Sequence, residues 1–222
     1  MALIGHWKFN NNLTATVGND ASTQGSYTPV YGTGKFSECI DFTTDPGLGK
    51  SPTVTFTMPQ NGTIEYWSKH SGWSWNDTTV TPSSVYHVPL CFISGNPHMY
   101  IQYEYGTGVH YHLVDQSGRE IYYNVTGLVL PDATWYHTAL TWGAGGFNVY
   151  IDGVCKLSGA SMGSCSFDGT SSMTVQIGNA VWSSRYFKGY IDNLKIYNHQ
   201  KTDYTDRDYE DGVIPNKYVW FW

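Results

Sequence analysis

The clearest structural signal in the chain is residues 135–153, WYHTALTWGAGGFNVYIDG. Even positions in the first half share one face of an extended strand, which only Thr138 interrupts: Tyr136, Leu140 and Trp142. Residues 144–146 supply a glycine-rich turn. Alternate positions then fall on one face of a returning strand: Phe147, Val149 and Ile151. This pattern predicts an antiparallel hairpin.

The same pattern of short alternating runs continues on both sides of the hairpin. Runs rich in Val, Ile, Thr, Tyr and Trp are separated by clusters of Gly, Pro, Asn and Ser, which is typical of an all-β sandwich. We predict about twelve strands. They lie near residues 3–9, 36–42, 53–58, 62–69, 87–94, 98–105, 108–115, 119–126, 135–142, 147–151, 173–178 and 186–197.

The organisation of the chain indicates one domain. The long, low-charge loops are spread along the sequence: 10–35, 70–86 and 154–172. Since there is no linker and no repeat of constant period, we predict a single domain over 1–222, with an aromatic tail at 213–222. A short helix is predicted over 202–211, where Thr202 would cap a turn that carries acids at its positive end.

Composition excludes several classes of protein and partner. Of 222 residues, 14% are charged and 16% are aromatic, which excludes disorder and a coiled coil. The 12 basic residues are scattered among 18 acidic ones, so nucleic acid and anionic membranes are poor partners. No run approaches the roughly 18 apolar residues of a membrane span, and we expect no membrane insertion. The first residues show no signal peptide, which leaves three sources open: a cytoplasmic protein, a module of a secreted protein, or a component of a virus particle.

The four cysteines allow two interpretations. Cys155 and Cys165 could form a disulfide across the base of one loop, which would contribute about 2–3 kcal/mol. Alternatively, all four are thiols that pack as small apolar groups, as we expect for Cys39 and Cys91.

Five motifs, in order along the chain, carry a resemblance to a known family: His6–Phe9, Gly34–Phe42, Thr63–Trp67, Trp135–His137 with Val149–Gly153, and Phe187–Asn198. They resemble the strands of the laminin G-like (LamG) family, a branch of the concanavalin A-like jelly rolls. The resemblance implies an all-β, two-sheet antiparallel jelly-roll sandwich with at most one short helix near the C-terminus. It also implies a non-catalytic recognition module.

The resemblance further implies a calcium ion between the loop after the first strand and the closing strand. Asp192 would be one ligand. Thr14 or Ala15 stands where the family has an aspartate, so Asp20 and backbone carbonyls would substitute for it. A single carboxylate would bind calcium weakly, because calcium takes about 6–8 oxygen ligands.

Two loops have the composition of a sugar-binding surface, in which aromatic rings pack on the sugar and a few polar groups bind its hydroxyls. The first contains Trp73, Trp75, Asn76 and Asp77. The second contains Trp182, Arg185 and Tyr186. The alternative for each loop is an anchor that plugs the edge of the sandwich. We expect four other tryptophans in the core: Trp7, Trp67, Trp135 and Trp142.

Catalytic chemistry has weaker signals. Hydrolysis of a glycosidic bond needs two facing carboxyl groups, but Glu65, Glu104 and Glu120 are each the only acid in their predicted strands. Residues of the type that a polysaccharide lyase uses do cluster in neighbouring predicted strands: Gln102, Tyr103, His110, His112 and Arg119. The spacing of His110 and His112 also suits a zinc pair.

We therefore expect a module that binds a cell-surface or extracellular glycan, located outside the cell or on a cell or virion surface. The main alternative is a structural decoration or assembly protein of a virus (phage) particle. It would dock or self-associate through the tail, where Tyr218, Trp220, Phe221 and Trp222 are too apolar to stay in water. A polysaccharide lyase or glycoside hydrolase is the third alternative.

Overall fold

The chain folds into two antiparallel sheets that form a sandwich. The computed structural model describes residues 2–44, 50–72, 86–92, 95–104, 108–179 and 186–211. The strands, numbered in chain order, are β1 (Leu3–Trp7), β2 (Ala15–Val17), β3 (Ser22–Gln24), β4 (Tyr31–Thr33), β5 (Glu38–Asp41), β6 (Ser51–Thr57), β7 (Gly62–His70), β8 (Tyr86–Phe92), β9 (His98–Glu104), β10 (Gly108–Val114), β11 (Glu120–Thr126), β12 (Trp135–Trp142), β13 (Phe147–Ile151), β14 (Val154–Ala160), β15 (Ser172–Ile177) and β16 (Gly189–Tyr197).

The strand order is that of a jelly roll, in which consecutive strands pair in β12–β14 and β8–β11, whereas β7, β16 and β1 in one sheet and β8, β15 and β6 in the other are neighbours distant in the chain. The nine-stranded sheet runs β14-β13-β12-β7-β16-β1-β2, with β5 paired to β16 and β4 paired to β5. The seven-stranded sheet runs β11-β10-β9-β8-β15-β6-β3. The predicted fold class is confirmed.

The hairpin of residues 135–153 forms as predicted. Leu140 of β12 lies opposite Val149 of β13, and the Gly146 N–H donates to the Gly143 carbonyl at 2.9 Å. All six side chains that the pattern assigns to the inner faces are part of the hydrophobic core: Tyr136, Leu140, Trp142, Phe147, Val149 and Ile151.

Large aromatic side chains fill the space between the sheets. Trp142 is fully buried and its indole N–H donates to the Pro59 carbonyl at 2.9 Å, so the ring is buried without an unpaired donor. A Cβ at position 62 would overlap the Trp142 ring, and only glycine fits there. The hydroxyls of Tyr66 and Tyr103 lie 3.2 Å apart across the sandwich and satisfy each other.

A C-terminal strap, residues 198–211, covers the outer face of the nine-stranded sheet. Lys201 Nζ lies 3.1 Å from Oε2 of Glu65, a residue of β7 that is only 2% exposed. The strap begins beside the start of the chain, because the Asn198 N–H donates to the Ala2 carbonyl at 3.0 Å. There Leu3 of β1 lies opposite Tyr197 of β16.

The predicted helix over 202–211 is wrong. The segment forms turns, in which the Arg207 N–H donates to the Tyr204 carbonyl and the Tyr209 N–H to the Asp206 carbonyl. Contacts with the sheet replace helical hydrogen bonds, since the Arg207 carbonyl accepts the Trp67 indole N–H at 3.2 Å. Among the residues that the structure describes, no helix is long and apolar enough to cross a membrane.

Two predicted loops contain strands. Residues 10–35 include β2, β3 and β4, and residues 154–172 begin with β14 at the edge of the nine-stranded sheet. The disulfide between Cys155 and Cys165 is not formed, and both are free thiols. The reason is that β14 holds Cys155 exposed, opposite Tyr150 of β13, whereas the Cys165 side chain joins the core. Cys39 and Cys91 are buried thiols, as expected.

Two of the four tryptophans expected in the core lie elsewhere. Trp7 and Trp142 are core residues. Trp67 is buried on the outer face of the nine-stranded sheet, with Lys35 Nζ 4.0 Å from the centre of a ring. Trp135 is half-buried, and Lys69 Nζ lies 5.1 Å from its ring. Both rings pack against the alkyl and ammonium groups of lysines instead of the second sheet.

Candidate functional site

Most of the predicted ligand-binding residues lie outside the described residues: Trp73, Trp75, Asn76, Asp77, Trp182 and Arg185. The aromatic tail, 213–222, lies outside them as well. Tyr186 is described. It is half-buried and pairs with Asn179 in an isolated antiparallel bridge, which closes the base of the second loop.

The described bases of the two predicted loops lie side by side. The first loop joins β7 to β8, and the second joins β15 to β16. At their bases the Ser71 N–H donates to the Lys188 carbonyl at 3.1 Å, and the Lys188 N–H donates to His87 Nδ1 at 3.1 Å. Through these two hydrogen bonds, Lys188 at the end of the second loop contacts Ser71 at the start of the first loop and His87 after it.

Buried rings form a rigid floor below these bases. The ring centroid of His70 lies 5.0 Å from that of Tyr103 and 5.0 Å from that of Phe187, and 6.0 Å from that of His87. Burial lowers the pKa of His87 to about 3 and the pKa of His70 well below its usual value. Both imidazoles are therefore neutral at physiological pH, which suits a packed apolar floor.

Acid is expected to weaken this floor through His87. The unfolded chain takes up a proton near pH 6.5, but folded His87 does so only near pH 3. Stability is therefore lost as the pH falls below 6.5, by about 2 kcal/mol at pH 5 from this group. Urea titrations at pH 7 and pH 5 should show a loss that is smaller by that amount in His87→Asn, whose amide oxygen can replace the Nδ1 acceptor. Parallel losses in the variant and the parent would contradict the assignment.

The outer face of the seven-stranded sheet carries a second group of aromatic rings, the histidine–tyrosine face, made of Tyr100, His110, His112 and Tyr122. The sheet register places His112 of β10 between Tyr100 of β9 and Tyr122 of β11. The ring centroid of His112 lies 4.8 Å from that of Tyr100 and 6.2 Å from that of Tyr122. Tyr122 is 50% exposed, so the row opens to solvent.

Polar partners fix the orientation of these rings. His110 Nε2 pairs with the Glu104 carboxylate, and His110 Nδ1 pairs with the Tyr122 hydroxyl. Because a carboxylate only accepts hydrogen bonds, Nε2–H of His110 donates to Glu104. His112 Nε2 lies 2.9 Å from an oxygen of Glu120. The result is a row of pre-oriented rings with carboxylates at its margin.

The sequence interpretation found the two histidines but missed the face. It named His110 and His112 only as weaker signals for a zinc pair or a lyase, and in the structure each is paired with a carboxylate. The missed signal is the period of two in β9 and β10. In β9, residues 99, 101 and 103 are fully buried, and the residues between them are half-buried on the outer side.

Three of the lyase-type residues, Gln102, His110 and His112, share the outer face of β9 and β10, but Tyr103 and Arg119 do not join them. Tyr103 is fully buried in the core. Arg119 Nη1 donates to the Ser164 carbonyl at 2.9 Å in the turn after β10, where its Nε lies 3.6 Å from Asp115. Of the three acids, Glu65 is in the other sheet and pairs with Lys201. Within the described ranges there is no group of three or more His, Cys, Asp or Glu side chains that could hold a metal ion.

Backbone N–H groups bind one oxygen of each residue that the sequence predicts as a calcium ligand. Asp192 is fully buried, and its Oδ2 accepts the N–H groups of Lys35 at 2.8 Å and Phe36 at 3.3 Å. Asp20 Oδ1 accepts the Ala15 N–H at 2.8 Å. One oxygen of each carboxylate thus faces N–H donors, which repel a cation, whereas Asp192 Oδ1 is buried with no hydrogen-bond partner among the described residues. These two residues alone do not supply the roughly 6–8 oxygen ligands that calcium takes. Burial raises the pKa of Asp192 to about 7.

The fold and these motifs agree with the comparison to known families. A laminin G-type family model, described as the concanavalin A-like lectin/glucanases superfamily, matches residues 43–204. The chain belongs to this superfamily. No curated protein sequence matches the chain.

Several solved structures share the fold. Domain 4 of AbnA, a GH43 extracellular arabinanase from Geobacillus stearothermophilus, was solved in complex with arabinotriose; it is 21% identical with a TM-score of 0.64, over 88% of this chain and 91% of that chain. The binding domain of Paraclostridial Mosquitocidal Protein 1 is 17% identical with a TM-score of 0.65, over 90% and 49%.

A structure of botulinum neurotoxin type C is 12% identical with a TM-score of 0.57. The cell entry of that toxin is described as dependent on interaction with two ganglioside molecules. The match covers 89% of this chain and 48% of that one, so the chain spans about half the length of these two toxin structures. At these identities the likeness shows the fold alone.

Proposed function

We propose that this protein is a non-catalytic module that binds a glycan through the histidine–tyrosine face and the two neighbouring tryptophan loops. The observation that carries the proposal is the open row of Tyr100, His112 and Tyr122 on one sheet. Sugars present C–H faces that pack on such rings, while carboxylates, amides and imidazoles bind their hydroxyls. Glu104 and Glu120 at the margin favour an uncharged sugar over an acidic one.

The comparisons support a glycan as the ligand. A domain of the same fold was solved with arabinotriose, and a toxin with a domain of this fold depends on gangliosides for entry. The arabinanase is an extracellular enzyme, which supports an extracellular location for this chain. The assembly alternative depends on residues 213–222, outside the described part of the chain, and no described residue favours it.

Binding to a panel of soluble and insoluble polysaccharides tests the proposal. We expect saturable binding that Tyr122→Ala weakens about tenfold, because one packed ring contributes about 1–2 kcal/mol. Tyr122→Phe keeps the ring and should keep most of the affinity. Trp73→Ala/Trp75→Ala and Trp182→Ala report on the two loops.

Val154→Ala is the matched control, since Val154 is an exposed apolar residue (56%) on the other sheet. Thermal unfolding confirms that each variant is folded. If the parent chain bound no glycan in the panel, the proposal would be overturned. If the protein converted a polysaccharide to product, we would conclude that it is an enzyme and not a binding module.

A further inference from the structure

A cavity of about 450 Å³ lies among four connections of the sandwich. They are the turns β6–β7, β10–β11 and β12–β13 and the loop β14–β15. The lining is mostly polar and includes Gln60, Asn61, Gln116 and Asp168, with Met162 and Phe167 on the apolar side. The volume is within the range of small-molecule sites, about 300–1,000 Å³.

Local hydrogen bonds hold the polar lining in place. The Asp168 carboxylate accepts the N–H groups of Thr170 and Ser171 at 2.8 Å each and the Ser171 hydroxyl at 2.6 Å. The Ser171 hydroxyl, with these N–H groups, keeps the pKa of Asp168 below its usual range, so the carboxylate is ionised. It can accept hydrogen bonds from a ligand without rearranging.

Two carboxamides of the lining have hydrogen-bonding groups that the described part of the protein does not use. Asn61 Oδ1 accepts the Ala144 N–H at 2.9 Å, which directs the two N–H donors of its amide elsewhere. Gln116 Oε1 is buried and has no hydrogen-bond partner among the described residues. A buried carbonyl without a partner costs about 1–3 kcal/mol, and a ligand donor would recover that free energy.

The charge of the lining selects the ligand class. The lining contains one carboxylate, several carboxamides and no lysine or arginine, so it disfavours anions. Sugar hydroxyls are both donors and acceptors, which matches carboxamides and a carboxylate. We infer that this cavity binds an uncharged mono- or disaccharide, such as the end of a neutral glycan chain. The site is separate from the histidine–tyrosine face, and the inference holds whether or not that face binds.

Side-chain amide NMR signals of the full chain test the inference residue by residue. The probes are neutral sugars (glucose, galactose, arabinose, cellobiose), with glucuronate as the charged counterpart. We expect the amide signals of Gln60, Asn61 and Gln116 to shift saturably with at least one neutral sugar and not with glucuronate. Gln116→Leu should weaken this binding about tenfold, as expected for one lost hydrogen bond. If that variant does not fold, the exposed Gln60→Ala replaces it.

Gln102→Leu, on the outer face of β9, is the matched control and should leave these shifts unchanged, as should Tyr122→Ala. The inference is overturned if no neutral sugar shifts the three amides, or if a chelator abolishes the shifts. Shifts confined to Gln102 would overturn it while supporting the proposed function. If Tyr122→Ala lost polysaccharide binding but kept the shifts of the cavity amides, the histidine–tyrosine face and the cavity would be two independent sites.

Discussion

Replacing Lys201 by methionine is expected to lower the free energy of unfolding by about 3–5 kcal/mol at pH 8, because it removes the cation that is hydrogen-bonded to a buried carboxylate and leaves Lys195 as the remaining cation acting on it. Lys201 Nζ contacts both oxygens of Glu65, at 3.1 and 3.2 Å, and also Asp206. The Tyr197 hydroxyl donates to Glu65 at 3.0 Å, and the charge of Lys195 also favours the carboxylate, but neither replaces the two contacts of Lys201. Burial already raises the pKa of Glu65, and loss of Lys201 raises it further.

The pH dependence of this loss is part of the prediction. In the variant, Glu65 becomes neutral at a higher pH than in the parent, so the loss shrinks as the pH falls. Urea denaturation at pH 8 and pH 5 measures both effects. Lys156→Met, an exposed lysine on β14, should change stability by less than about 0.5 kcal/mol.

The double variant Glu65→Leu/Lys201→Met should recover most of the stability, because it removes both charges together. A loss below about 1 kcal/mol in Lys201→Met would show that the pair behaves like an exposed ion pair. It would then follow that the strap does not shield Glu65 from water.

Replacing Asp192 by asparagine is expected to remove a large pH dependence of the free energy of unfolding. This dependence has the opposite sign to the one expected from His87. The unfolded carboxyl loses its proton near pH 3.8, whereas the folded one keeps it to about pH 7. The parent therefore loses stability from this group as the pH rises through that window. Relative to the parent, Asp192→Asn should gain about 4 kcal/mol between pH 4 and pH 8. Its amide oxygen can still accept the N–H groups of Lys35 and Phe36.

Thermal and urea unfolding across pH 4 to 8 measures this difference. Asp20→Asn is the matched control, since Asp20 is exposed and accepts a single backbone N–H; it should follow the parent. If Asp192→Asn also followed the parent, the buried carboxyl would not be the group that titrates. Millimolar calcium is expected to leave the midpoint of the parent unchanged, and a rise lost in Asp192→Asn would restore the metal interpretation.

Strand positions were predictable where one face of a strand is buried. The hairpin around residues 144–146 follows directly from alternation, because the inner face is apolar except at Thr138. Strand β14, VCKLSGA, shows no alternation, since it lies at the sheet edge and is mostly exposed. The acids after Thr202 satisfy local rules for a helix, but contacts of Lys201 and Arg207 with the sheet override them.

The candidate site was harder to predict because it depends on register. His112 becomes part of a candidate binding surface only because Tyr100 and Tyr122, on two other strands, lie beside it. Which residues face each other across strands depends on turn lengths and bulges, such as the irregularity between His87 and Leu90 in β8. Aromatic composition indicated a sugar-binding surface, but it directed attention to tryptophans in loops.

The pairing of the first and last strands determines how the module responds to a pulling force. Leu3 lies opposite Tyr197, and the Ala2 carbonyl accepts the Asn198 N–H, so the two points of attachment adjoin at one end of the sheet. Tension between them loads the β1–β16 hydrogen bonds one after another, as in a zipper, and not all at once. A module pulled through its N-terminal and C-terminal segments would therefore lose the strap of residues 198–211 first and then open stepwise along β1 and β16.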